Sequence, residues 1–334
     1  MSADPSSHKF FESFTTENLF SPDRPDTSRI RMVTANRIQK PRSSKRNPTP
    51  LLLLPAMVVL IVCTQVPFVM TIYNSFRRFN LLSPDNQGFI WFDNYISLLT
   101  DPVFYRSLLN TLVLVGSVLV VTVLIGLACA MLFNQNFPGR DFTRTLVISP
   151  FFIMPIVSAL IWKNMLMNPV YGIFAWIAQS FGFTPIDWLS ALPMQSIIIM
   201  VAWQWIPFAL LILLTGLASL PSDVLEAAKL DGASGWQEFR FVILPHLSQT
   251  ISVVVMLESI FLLTVFAEIY ASTSGGPGLE TTTLPYLIYL KAFGELRIGV
   301  ATAGAMFAVL LANVVSIFVL RSIASNLQTP KELT

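Results

Sequence analysis

Six long apolar stretches alternate with polar segments along the chain. A helix needs about 20 mostly apolar residues to cross a hydrocarbon core of about 30 Å. Each stretch is about that long, so the pattern predicts six membrane-spanning helices. Their expected bounds are Leu51–Ile72, Leu108–Phe133, Thr145–Met165, Met194–Leu217, Ile251–Ala271 and Val300–Leu320.

Proline residues lie inside several of these stretches. Pro55 and Pro67 fall in the first, Pro150 and Pro155 in the third, and Pro207 in the fourth. Helix breakers at membrane depth are tolerated only where protein or a water-filled cavity satisfies the backbone. The prolines therefore favour packed helices that line a pathway over simple anchors.

The fourth and fifth stretches are joined by a polar segment, residues 221–245, called the polar loop below. Ser222 is expected to cap a first short helix that runs to about Leu230. Gly232 is expected to stop that helix, because glycine accepts the left-handed conformation of a sharp turn.

A second short helix is expected after this turn. Ser234 and Gln237, three residues apart, match a capping box. Pro245 is expected to end the second helix where the next apolar stretch begins. The polar loop is therefore predicted to be a bent, rigid element between two spans.

Composition and charge agree with a membrane protein and give its orientation. The chain of 334 residues is 54% hydrophobic and only 12% charged, against about 25% charged residues in globular proteins. With the N-terminus inside, inside segments hold fifteen Lys and Arg and outside segments hold six. The positive-inside rule therefore predicts that both termini and the polar loop are cytoplasmic.

The sequence lacks the signatures of enzymes, metal sites and nucleotide-binding loops. No glycine is followed by lysine, so there is no phosphate-binding loop of the GxxxxGK type. His8 and His246 belong to no ligand cluster, and Cys63 and Cys129 lie in apolar runs as small hydrophobic residues. We expect no metal, no cofactor and no nucleic-acid partner.

One acidic residue falls deep in the fifth stretch. Glu258, Phe261, Leu262 and Val265 share one helical face by their spacing, and ionisable residues in a membrane tend to mark pathways. A carboxylate beside aromatic rings suits the hydroxyls and C–H faces of a polyol. The alternative is that Glu258 bonds a neighbouring helix or stays protonated in a packed interface. Glu268, near the outer boundary, is less informative.

The polar loop resembles a known element of membrane transporters. Glu226-Ala227-Ala228, Asp231-Gly232 and Leu244-Pro245 resemble the EAA loop of permease subunits of binding-protein-dependent ABC importers. Val242 replaces the isoleucine of that pattern. Gly275-Gly276-Pro277-Gly278, which requires an irregular turn, resembles the GGPG segment of sugar-importing relatives.

The resemblance implies a fold and a domain organisation. The fold is the all-α integral membrane fold of type I ABC importers, with six transmembrane helices and a cytoplasmic EAA coupling loop. Residues 1–50 would form a disordered basic cytoplasmic tail, and 51–107 the first transmembrane helix and an outer loop. Residues 108–321 would form the permease core of five helices with the loop 221–245, and 322–334 a cytoplasmic tail.

The resemblance also implies partners and a location. A permease of this family lies in the bacterial inner membrane and is surrounded by lipid. It works with a second homologous permease subunit, two ATPase subunits and a periplasmic substrate-binding protein, so ATP hydrolysis resides on a partner and this chain is not an enzyme.

The helices that flank the EAA loop line the substrate cavity in maltose-type relatives. Carried over to this chain, the cavity wall comprises Trp205, Phe208, Glu258, Phe261 and Val265. Segments such as VAWQWIPFA and LPYLIY are most similar to permeases of mannitol- and sorbitol-type polyol importers. The substrate is therefore expected to be a polyol or small sugar.

Three other interpretations remain open at this point. The chain could be an ion-coupled secondary carrier, although Glu258 alone is little to bind a coupling ion. It could share the importer architecture but carry amino acids or peptides. It could also be a membrane scaffold without transport, which the prolines inside its helices disfavour.

Overall fold

The computed structural model describes residues 49–327, which are mainly helical. The predicted N-terminal tail, residues 1–50, lies almost wholly outside the described residues. The last helix continues to Leu327, so the predicted C-terminal tail begins as helix at residue 322, and its remainder lies outside them.

The first half of the described chain begins with one long helix and a short hairpin. In β1 and β2 Arg77 lies opposite Phe89 in an antiparallel register. The elements are α1 (Thr49–Ser75), β1 (Arg77–Arg78), β2 (Gly88–Phe89), α2 (Asp93–Leu99), α3 (Pro102–Asn134), α4 (Arg140–Ile148), α5 (Pro155–Ile161), α6 (Ile173–Ser180), α7 (Trp188–Ala191) and α8 (Pro193–Ala218).

The second half contains the polar loop and the last two predicted spans. Its helices are α9 (Ser222–Leu230), α10 (Gly235–Glu238), α11 (Leu244–Leu262), α12 (Ala267–Ser272), α13 (Leu284–Tyr289) and α14 (Ile298–Leu327). Single 3₁₀ or π-helical turns lie at Pro84–Asn86, Ser149–Phe152, Trp162–Leu166, Phe239–Ile243 and Leu290–Gly294.

Within residues 49–327, five helices are long and apolar enough to cross a membrane, and a bent pair makes a sixth. The first, second, fourth and sixth predicted spans correspond to α1, α3, α8 and α14. Pro207 lies inside α8, which is continuous. The side chains of residues 61–70 in α1 are all exposed and mostly apolar, as on a helix that faces lipid.

The third predicted span, Thr145–Met165, is wrong as a straight helix. It consists of two segments, Arg140–Phe152 and Pro155–Leu166, bent by 107°. Met154 has ψ 135, outside the helical region, because the ring of Pro155 disfavours the α conformation of the residue before it. The sequence contained this signal in its prolines.

The fifth predicted span, Ile251–Ala271, is wrong at both ends. An apolar helix runs from Gly235 to Leu262 and stops, and α12 follows after a break of four residues. The Thr264 hydroxyl donates to the carbonyl of Phe261 at 2.7 Å, a bond that competes with helical pairing of the backbone. The residues around Thr264 are apolar, so hydrophobicity along the sequence does not reveal this break.

The core of the bundle lies where α3 and α8 pack along each other. A Cβ added at Gly126 would meet the Cβ of Ala209 at 2.8 Å, so glycine permits a close approach of the two helices. Leu127, Ala130, Leu210 and Leu213 are buried beside this contact.

The irregular turn expected at Gly275–Gly278 is confirmed. Gly275 and Gly278 have φ +81 and +58. The Asn110 side chain on α3 donates to the carbonyls of Leu279 and Thr282 at 2.7 and 2.9 Å. The turn is therefore fastened to the second span.

Candidate functional site

The first helix of the polar loop ends in a glycine turn. Gly232 has φ +80, as expected. Its N–H donates to the carbonyl of Lys229, and the N–H of Ala233 donates to that of Ala228, both at 3.0 Å. These two bonds define a Schellman motif, which satisfies the last carbonyls of α9 and requires a left-handed residue.

The second helix is capped as the sequence predicts. The N–H of Ser234 donates to the Gln237 side chain at 2.7 Å, and the N–H of Gln237 donates to the Ser234 hydroxyl at 3.4 Å. Both halves of the capping box are therefore present. The bend between α9 and α10 is fixed by hydrogen bonds on both sides.

Two local predictions for the polar loop are wrong. Ser222 is the first residue of α9 and does not cap it, since its hydroxyl donates to Asp223. Pro245 does not end the second helix. The π-helical turn Phe239–Ile243, in which the N–H of Leu244 donates to the carbonyl of Phe239, widens the helix just before the proline and lets it continue.

The polar loop carries large exposed apolar side chains. Leu230, Trp236 and Phe241 are 88%, 70% and 71% exposed. Glu226 and Ala227 of the EAA pattern are also exposed. A loop that only met solvent would have no reason to expose such side chains, and they are typical of a surface that another protein covers.

A cavity of about 460 Å³ lies where the two broken spans meet α8. Residues of both breaks contribute to its wall, and non-helical backbone at membrane depth is tolerated where it lines a cavity. The lining residues are Phe151, Ile153, Pro155, Gln204, Trp205, Phe261, Thr264, Val265, Phe266, Ala267 and Glu268.

Aromatic rings form one wall of this cavity. The ring centroids of Trp205 and Phe261 are 5.4 Å apart, and those of Phe151 and Trp205 are 5.8 Å apart. Phe208 stacks on Phe151 at 5.7 Å without reaching the cavity itself. Such a wall presents flat apolar faces to the cavity.

The structure brings three of the five predicted pathway residues into this cavity. Trp205, Phe261 and Val265 line it. Glu258 is fully buried and lies outside the lining. The Thr122 hydroxyl of α3 donates to the Oε2 atom of Glu258 at 2.6 Å. Glu258 therefore bonds a neighbouring helix, which is the alternative that the sequence analysis left open.

Two polar residues of the cavity were missed as site residues. Gln204 donates through Nε2 to the carbonyl of Ile153 at 2.7 Å, which fixes the break of the third span. Glu268 is 3% exposed and lines the cavity. The displaced end of the fifth span explains the omission of Glu268, since a continuous helix would carry it out to the membrane boundary.

Among residues 49–327, no three His, Cys, Asp or Glu side chains are grouped so that they could hold a metal ion. The features that remain are an exposed, rigid polar loop and an aromatic cavity with few polar groups.

Comparisons with known proteins cover both features. Residues 122–329 match the family model described as binding-protein-dependent transport system inner membrane component. The chain is 35% identical over 252 residues to a probable ABC transporter permease protein, y4oQ, of Sinorhizobium fredii, covering 75% of this chain and 81% of the relative.

A second relative and a solved structure agree. The chain is 33% identical over 265 residues to the trehalose/maltose transport system permease protein MalF of Thermococcus litoralis, covering 78% of this chain and 89% of the relative. Its fold is similar to a chain in the crystal structure of a bacterial alginate ABC transporter in complex with alginate pentasaccharide-bound periplasmic protein. The TM-score is 0.68 at 22% identity, covering 81% of this chain and 92% of that chain. This chain belongs to the family of binding-protein-dependent transport system inner membrane components and has the type I fold of ABC transporter permeases.

Proposed function

We propose that this permease subunit carries a polyol or small sugar through the bacterial inner membrane in an ATP-driven importer. The observation that supports this substrate class best is the cavity at the two span breaks, where the Trp205 and Phe261 rings lie 5.4 Å apart. Aromatic faces beside a few polar groups are the usual composition of a site for a small neutral solute. The sugar named for the trehalose/maltose relative points the same way.

The partners in this proposal are a second homologous permease, two ATPase subunits and a periplasmic binding protein. A single chain of six spans supplies half of a pathway that a second, similar subunit completes. The exposed Leu230, Trp236 and Phe241 give the polar loop an apolar surface that an ATPase groove would cover. The distribution of Lys and Arg supports a cytoplasmic location for both termini and the polar loop.

The proposed mechanism passes motion from the polar loop to the cavity. When the ATPase pair closes on ATP, it moves the bend at Gly232. From Gly235 to Leu262 the chain is one helical span, about 40 Å long at 1.5 Å per residue. Phe261 lies at the far end of this span, in the cavity wall. Movement of the polar loop would therefore change the width of the cavity.

The substrate assignment is tested by uptake into proteoliposomes. The whole assembly is purified in mild detergent, reconstituted with its binding protein and supplied with sorbitol, mannitol, trehalose or maltose. We expect ATP-dependent uptake of at least one of them. Uptake of amino acids or peptides alone would replace the sugar or polyol assignment.

A pair of tryptophan variants tests the role of the cavity. Trp205→Ala removes one aromatic face of the cavity wall. A ring contact with the solute worth about 0.5–1.5 kcal/mol, as in an aromatic pair, would make uptake fall up to about tenfold when it is lost. Trp176 on α6 is 69% exposed and is absent from the cavity lining, so Trp176→Ala should leave uptake unchanged. Equal effects of the two variants on uptake would contradict the proposal that the solute passes through the cavity.

A further inference from the structure

Three polar side chains line the cavity: Gln204, Thr264 and Glu268. Gln204 uses its Nε2 on the carbonyl of Ile153, and its Oε1 is buried with no partner among the described residues. The hydroxyl of Thr264 is used on the carbonyl of Phe261. Glu268 contributes a carboxylate. The carboxylate of Glu268 is therefore the acidic group that this lining offers to a solute.

Glu268 has no ion-pair partner among the described residues. The lining contains no Lys, Arg or His, and within residues 49–327 no cation forms an ion pair with this carboxylate. The ammonium of Lys163 donates to the carbonyl of Ala271, on the same helix α12 as Glu268, at 3.3 Å. A carboxylate without an ion-pair partner gains from hydroxyl or ammonium groups of a solute that donate to it, and an anion brought close to it disfavours its charged form.

From these observations we propose that Glu268 determines the charge selectivity of the permeation site. It accepts hydrogen bonds from hydroxyl or ammonium groups of the solute and excludes sugars that carry a carboxylate or phosphate. The inference rests on the proposed function, since it assigns a role within the same cavity. Glu268 acts as a specificity-determining residue.

Coulomb's law gives the expected size of the effect. Two like charges about 6 Å apart, at the effective dielectric constant of about 20 that suits protein sites, repel enough to change an affinity by about a hundredfold. A neutral polyol is not repelled, and its hydroxyl groups can donate hydrogen bonds to the Glu268 carboxylate. The matched pair of solutes is sorbitol and gluconate, which differ mainly in one carboxylate.

The test measures solute binding to the complete assembly in nanodiscs, without the binding protein. Saturation-transfer NMR detects weak ligands and gives dissociation constants for sorbitol, gluconate, glucose and glucosamine. We expect wild type to bind gluconate about a hundredfold more weakly than sorbitol and to prefer glucosamine to glucose. In Glu268→Gln, the ratio of the dissociation constant for gluconate to that for sorbitol should fall at least tenfold. Glu280→Gln, at an exposed position outside the cavity, should leave the ratio unchanged.

The outcomes separate this inference from the proposed function. If wild type binds gluconate as well as sorbitol, the inference is overturned even if the Glu268 variant fails to fold. An unchanged ratio in Glu268→Gln, with sorbitol still bound, also overturns the inference and leaves the importer of neutral solutes standing. If none of the four solutes binds to wild type, the sugar pathway and the inference are overturned together.

Discussion

Gly232 offers the sharpest test of how the polar loop works. It has φ +80, and a Cβ added there would meet no atom within 4 Å. A side chain at this position is therefore free of steric conflict within the chain. Its backbone cost is that of the left-handed conformation, about 1–2 kcal/mol for most residues, and Asp is among those that visit this region most readily.

Gly232→Asp should therefore leave the permease folded and inserted. In the assembled importer the same carboxylate would be enclosed in a protein interface without a partner. An unpaired buried charge costs several kcal/mol, and each 1.4 kcal/mol is a factor of ten. Docking of the ATPase should weaken by at least about a hundredfold, and uptake should be abolished.

Gly182 provides the matched control for this variant. It has φ +77, and a Cβ added there also meets nothing within 4 Å, but it lies outside the polar loop. Gly182→Asp should retain ATPase co-purification and uptake. The assay compares membrane insertion, co-purifying ATPase and uptake for the two variants. Normal uptake by an inserted Gly232→Asp protein would refute the proposed role of the polar loop.

Two further predictions concern the buried carboxylate of α11 and the glycine turn. Glu258 accepts a hydrogen bond from Thr122, so Thr122→Val should lower the free energy of unfolding by about 1 kcal/mol. Glu258 also lies outside the cavity, so Glu258→Gln should leave the affinity for sorbitol unchanged. A tenfold loss of that affinity would place Glu258 in the pathway. A Cβ at Gly275 would lie 2.5 Å from the Tyr286 ring in a left-handed backbone, so Gly275→Ala should cost about 3 kcal/mol. Gly278→Ala meets no atom and should cost less than half as much, and equal melting temperatures of the two variants would contradict the steric argument.

Features that depend on residues close together in the sequence could be predicted from residue types and their spacing. The left-handed Gly232 and the capping box of Ser234 and Gln237 follow from residue types at fixed spacing, and both are present. Four of the six spans follow from apolar length alone. The bend of the third span was also encoded, because Pro155 restricts Met154, but hydrophobicity outweighed the proline in the sequence-based prediction.

Features that depend on packing between distant segments could not be predicted. The break after Leu262 lies in mainly apolar sequence with Thr264 as its one polar residue. Only the structure shows that this break and the break of the third span line one cavity. The bond from Thr122 to Glu258 joins residues 136 positions apart. Phe261 and Val265 both line the cavity, although the helix that the spacing assumed ends at Leu262. Spacing along one helix did not predict that Glu258 bonds Thr122 of α3.

The central claim is that the polar loop transmits work from an ATPase into this half of a membrane pathway. The most direct measurement is solute uptake by proteoliposomes that hold either the complete assembly or the isolated chain, with ATP or a proton gradient as the energy source. The account predicts uptake only by the complete assembly, only with ATP on the side of the polar loop, and with no response to the proton gradient. Uptake by the isolated chain, or uptake driven by the gradient without ATP, would contradict it.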